Sequence, residues 1–75
     1  MSSHITFPKD AAVKAGLVVK ETATAVMFVL PRTIFAVEAT LNEQGDITYE
    51  SDMREEVRSV LIDWLTTNHI EYNQT

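Results

Sequence analysis

A small α+β domain is the fold class the sequence predicts: a three-stranded antiparallel sheet with a long C-terminal amphipathic helix packed on one face. The expected element order is α-β-β-β-α. Three observations carry this reading. An apolar stripe at helical spacing runs from Met53 to Leu65, two alternating segments flank a turn at Gly45, and a β-branched run precedes Pro31. The chain has 75 residues, enough for one core and no second. Residues 1–75 are therefore read as a single domain, with residues 70–75 expected as a flexible tail.

The first helix is expected at "PKDAAVKAG", with Pro8 at its first turn and Gly16 past its end. The preceding "HITF" allows an extra strand. Next comes "LVVKETATAVMFVLP". Val18, Val19, Thr22, Thr24, Val26 and Val29 are β-branched, which suits one strand over residues 22–30, ended by Pro31. Ala11, Ala15, Val18, Thr22, Ala25 and Val29 also recur at near-helical spacing, so a helix continuing from Lys9 to Leu30 stays open as an alternative. Gly16 and the β-branched residues weigh against it. Within this stretch "AVMFVLP" is apolar at consecutive positions, which predicts cover on both faces. The short first helix reaches only part of the second face, leaving the rest to a partner or a second copy.

A hairpin follows. In "TIFAVEATL" alternation puts Phe35, Val37, Ala39 and Leu41 on one face, and Ile34, Ala36, Glu38 and Thr40 on the other. "NEQGD" supplies the turn, with Gly45 as the residue of positive φ. "ITYES" returns with Ile47 and Tyr49 on a common face. The second helix is expected over residues 52–68. Met53, Val57, Val60, Leu61, Trp64 and Leu65 form its apolar stripe, Ser51 or Asp52 caps it, and Glu55 completes a capping box. Asn68 is the expected left-handed residue past its end, beside His69. Trp64 is read as core, packed on Tyr49 and Phe35.

Charge narrows the function classes. The net charge is −5, and it is lopsided: residues 1–37 sum to +2 and residues 38–75 to −7. Phosphate-driven nucleic-acid binding is disfavoured by that total, whereas a basic protein partner suits it. The chain has no cysteine, which excludes disulfides and thiolate metal sites. "MSSHITFPKD" lacks the basic and apolar regions of a secretory signal. The apolar run Ala25–Leu30 is too short to cross a bilayer. A cytoplasmic protein without a membrane segment is the expectation.

Catalytic and cofactor motifs are missing from the sequence. Glu55 and Glu56 are adjacent in a helix and point about 100° apart, which is no acid–base pair. The two glycines build no phosphate cradle, and no serine lies in a glycine-rich elbow. "TLNEQGDITYES" falls short of a calcium loop. Aligned on Gly45, it puts Thr40 and Ser51 where the essential carboxylates belong. His4 and His69 lie at opposite ends without neighbouring ligands. No enzyme, cofactor or metal is therefore expected.

The predicted order α-β-β-β-α resembles that of the double-stranded-RNA-binding domain. That resemblance implies lysines on phosphates at the start of the second helix. Here the corresponding place reads "DMREE", with Arg54 its only base, so RNA binding stands as a second alternative without its functional residues.

The stretch "EQGDITYESDMREE" concentrates six acidic residues against one basic residue. Asp52 and Glu55 are explained by helix capping, and Glu43 and Asp46 by the turn. Glu50 and Glu56, with Glu38 and Asp63, are charges that no local rule requires. On the helical wheel Ile62 lies roughly 130° from the centre of the apolar stripe, a position suited to a contact patch. Glu38, Glu50, Glu56, Asp63 and Ile62 are therefore the expected partner-binding residues. The expected function is a non-enzymatic acidic module, regulatory or inhibitory, engaging a basic surface of another protein. By charge and size it is comparable to the DNA-mimic inhibitors of phages and mobile elements. Self-association through the apolar sheet face, as a structural protein and homodimer, is the first alternative.

Overall fold

A computed structural model describes residues 4–23, 25–50 and 55–75. Its elements are β1 (His4–Pro8), α1 (Lys9–Lys14), β2 (Val18–Glu21), β3 (Val26–Val29), β4 (Ala36–Leu41), β5 (Asp46–Glu50), α2 (Glu55–Thr67) and β6 (Asn73–Gln74). The expected three-stranded sheet in the order α-β-β-β-α is overturned. The strands form one six-stranded antiparallel sheet in the order β2-β3-β4-β5-β1-β6, and the C-terminal helix has 13 described residues. The topology behind the likeness to the RNA-binding domain goes with it, because a strand precedes α1 and a fourth meander strand follows it.

The β-branched run accounts for part of the difference. It is neither one strand nor a helical extension but a hairpin, with Val18 opposite Val29 and Lys20 opposite Met27. No glycine or proline marks the turn. A threonine side chain closes it instead: the Thr22 amide donates to the Ala25 carbonyl at 2.9 Å, and the Ala25 amide donates to Thr22 Oγ1 at 3.1 Å. The Thr22 hydroxyl also donates to the Ala25 carbonyl, at 3.0 Å.

The two chain ends account for the rest. β1 pairs along its whole length with β5, from His4 opposite Glu50 to Pro8 opposite Asp46. Within residues 70–75, expected as a flexible tail, Asn73–Gln74 form the edge strand β6 instead. Ile70 is buried, Thr6 lies opposite Asn73, and the Thr75 and His4 backbones exchange two hydrogen bonds at 3.0 Å.

The β4–β5 hairpin follows the alternation in the sequence. Val37, Ala39, Ile47 and Tyr49 are buried, while Ala36, Glu38, Thr40 and Glu50 face outward. Gly45 has φ 84°, and Asn42 Oδ1 accepts from the Gln44 and Asp46 amides. The expected cap at Ser51 and Asp52, and the stripe residue Met53, lie outside the described residues.

Both helices end in the same way. At α1 the Gly16 amide donates to Val13 and the Leu17 amide to Ala12. At α2 the His69 amide donates to Thr66 and the Ile70 amide to Leu65. Each is a Schellman motif whose following apolar residue packs back on the last turn. The left-handed residue of the second motif is His69, φ 58°, not Asn68. The Asn68 side chain donates to the Trp64 carbonyl at 2.8 Å instead.

The core lies on one side of the sheet only. Ala12 of α1, and Val57, Leu61 and Leu65 of α2, join the inward strand residues there. Phe7 and Phe28 meet edge to face, with centroids 5.8 Å apart. "AVMFVLP" is therefore not covered on both faces: Val26, Phe28 and Leu30 are buried, while Met27 and Val29 are exposed. Trp64 is half-buried at the margin of the core.

Tyr49 is fully buried, and its hydroxyl has no hydrogen-bond partner among the described residues. Burial pushes its pKa above the ordinary 10.0, against a smaller opposing pull from Arg58. Tyr49→Phe is expected to stabilise the fold by about 1 kcal/mol, since it deletes a desolvated, unpaired hydroxyl. Urea unfolding checks this, and destabilisation of the variant contradicts it. Because the folded-state pKa is raised, this residue's contribution is fully present below pH 10.0. It is lost as pH rises from there through the folded pKa. The variant should lack that component of alkaline destabilisation.

Candidate functional site

The helix-free side of the sheet is the main described surface without cover. Strand alternation and register give it a regular layout. Val18, Val29 and Ala36 form one row, and Lys20, Met27 and Glu38 a second. Thr40, Thr48 and Thr6 form a third, with 3.2 Å between the Thr6 and Thr48 hydroxyl oxygens. The surface thus grades from apolar near β2 and β3 to hydroxyl-rich and acidic near β5 and β1.

Ile34 extends the apolar end and is 95% exposed. Its turn is well tied: the Thr33 amide and hydroxyl both donate to the Leu30 carbonyl, and the Phe35 amide donates to Thr33 Oγ1. Arg32, in the same turn, takes a left-handed φ of 65°. Ile34 is therefore held exposed by a hydrogen-bonded loop.

Glu38 and Glu50 come together on this face. The registered pairs of β4 and β5 are Thr40–Thr48 and Leu41–Ile47. Beyond them both carboxylates line one shallow depression of about 260 Å³, with Ala25, Thr40 and Thr48 on its other sides. Two carboxylates and two threonine oxygens make it acceptor-rich, suited to the cationic end of a lysine or arginine side chain.

The other expected residues lie elsewhere. Glu56 and Asp63 are exposed on α2, across the sheet from Glu38 and Glu50. Ile62 is half-buried and packed against the core, so it is not the exposed centre of a patch. Met27 and Val29 belong to the apolar run whose second face the sequence leaves to a partner or a second copy, and Val18 and Ile34 add to that exposed surface. The signal for Ile34 was its alternation with Ala36 and Glu38.

A larger groove, about 490 Å³, runs between β1 and the C-terminal segment, lined by Thr6, Pro8, Asp46, Glu71 and Tyr72 among others. Its two carboxylates have no histidine or lysine beside them in that lining. Among the described residues no group of three or more His, Asp or Glu side chains is placed to hold a metal ion. No described helix is long and apolar enough to cross a membrane.

These features define a class: a small α+β domain with an antiparallel sheet, both helices on one side and the opposite side open. Comparison with known proteins finds no matching family model, curated protein or solved structure.

Proposed function

We propose that this chain is a non-catalytic protein-binding module that docks its partner on the helix-free face of the sheet. The partner surface presents a lysine or arginine beside apolar side chains. The basic group enters the Glu38–Glu50 depression while Met27 and Val29 take the apolar contact. One observation carries this reading: paired acceptors and exposed apolar side chains adjoin on a face that no described element covers. Burial of the apolar part supplies affinity, and the carboxylates fix orientation and partner choice. A module of this size acts on its partner by occupying a surface. The carboxylates are divided between the two sides of the sheet, which favours such a local contact over an extended polyanionic surface.

The test is an amide-shift titration with a short peptide of alternating lysine and leucine. Shifts should gather at residues 27, 29, 38, 40, 48 and 50. Glu38→Lys combined with Glu50→Lys should weaken binding at least about tenfold, as expected for losing charge-assisted contacts. Glu56→Lys combined with Asp63→Lys should leave it nearly unchanged. Shifts gathered on α2, or affinity lost only in the second pair of variants, would overturn the proposal.

A further inference from the structure

The outer edge of the sheet at β2 is the second feature that asks for a partner. The Thr22–Ala25 hydrogen bond closes the β2–β3 hairpin. Hydrogen-bonded pairs alternate from there, so residues 20 and 18 turn their backbone groups toward β3 and residues 19 and 21 turn theirs outward. Neither Val19 nor Glu21 has another backbone partner among the described residues. Val18 on this edge is 67% exposed.

We propose that β2 pairs with β2 of a second copy, antiparallel, about a two-fold axis through Val19. Three requirements select this register. Side chains opposite one another must share a face, which restricts the axis to a residue position. An axis at Lys20 sets two lysines opposite each other, and one at Glu21 sets two glutamates, both repulsive. An axis at Val18 leaves only a short overlap. At Val19, the two Val19 residues exchange both outward hydrogen bonds. Glu21 lies opposite Leu17 of the second copy and Lys20 opposite Val18. The Leu17 amide is already held by Ala12, so its carbonyl accepts from Glu21. Charges that ordinarily blunt an edge here exclude the competing registers.

The second copy is the occupant because its edge has the same length, the same outward groups and a self-complementary register. Four residues of edge bury little area, so the association is concentration-dependent and not permanent. The axis stands perpendicular to the sheet, which leaves both helix-free faces on the same side. The dimer thus presents two copies of the face described above, although edge pairing stands independently of what binds there.

Val18 provides the test, since it is exposed and faces Lys20 across the axis. Sedimentation over rising concentration should show a monomer–dimer equilibrium. Val18→Lys should weaken it roughly tenfold and Val18→Glu strengthen it by a similar factor, because two symmetry-related pairs change at once. Circular dichroism verifies that both variants fold. With no native cysteine, Val19→Cys should give a disulfide-linked dimer on mild oxidation, as the paired Cα atoms lie about 5.5 Å apart. Glu21→Cys should not, its copies being roughly 14 Å apart along the strands. A chain monomeric at about 1 mM, where even a millimolar association is visible, overturns the proposal. So does a dimer that responds alike to both Val18 variants or to neither.

Discussion

Phe28→Ala is expected to remove about 3–5 kcal/mol of folding stability, close to the loss of the fold. A domain of 75 residues has on the order of 4–11 kcal/mol in total. Phe28 is fully buried on β3, on the helix-covered face, and its ring meets Phe7 edge to face at 88°. Truncation removes the transfer energy of the ring and leaves a void that the fixed strand backbones cannot close. Phe7→Ala should behave similarly. The double variant should fall short of additivity by about 0.5–1.5 kcal/mol, the coupling of an aromatic pair. Urea unfolding of the four proteins gives the cycle. A loss below about 1 kcal/mol for Phe28→Ala is incompatible with its burial here.

Which parts of the fold were legible depends on which residues carry local signals. The β4–β5 hairpin was, because strict alternation, Asn42 and Gly45 all point to one register. The first helix was bounded by Pro8 and Gly16, and Gly16 takes φ 115° where the chain leaves that helix. Most of α2 was marked by its stripe.

The β2–β3 hairpin was not legible, since its turn is closed by the Thr22 hydroxyl, and threonine is also a strand residue. The strand status of β1 and β6 rests on partners more than 20 residues away, β5 for one and β1 for the other. The sequence allows an extra strand at "HITF", where β1 lies, but the two residues of β6 give periodicity too little length to register. The apolar run at β3 is a separate case. Consecutive apolar residues suggested cover on both faces, yet both helices pack on the same side.

The candidate surface was half legible for a related reason. Glu38 and Glu50 stood out as charges without a local role, and strand alternation put both on the outward face. A helical wheel cannot say which side of a sheet the helix covers. Glu56 and Asp63 were therefore grouped with residues that lie across the sheet from them. A helical wheel ranks Ile62 against an ideal stripe, whereas in the fold its side chain is partly buried against the core. Ile70 is buried in that same core and its amide donates to the Leu65 carbonyl at the end of α2, while Tyr72 packs partly buried against it.

The same geometry sets the second large effect, an ordering that runs against side-chain size. Leu61→Ala should cost about 2–5 kcal/mol, and Trp64→Ala should cost less, although tryptophan is the larger residue. Leu61 is fully buried at mid-helix, enclosed by core side chains that hold its void open. Trp64 is half-buried, so its bare ring was never wholly removed from water, and its truncation opens a surface groove that solvent fills. Its carbonyl accepts from the Asn68 amide and side chain irrespective of the ring, so the C-terminal cap of α2 survives the substitution. Thermal or urea unfolding of the two variants under one condition settles the order. If Trp64→Ala proves the more damaging, the indole is a core element, and α2 is rotated about its axis relative to the sheet from the placement described.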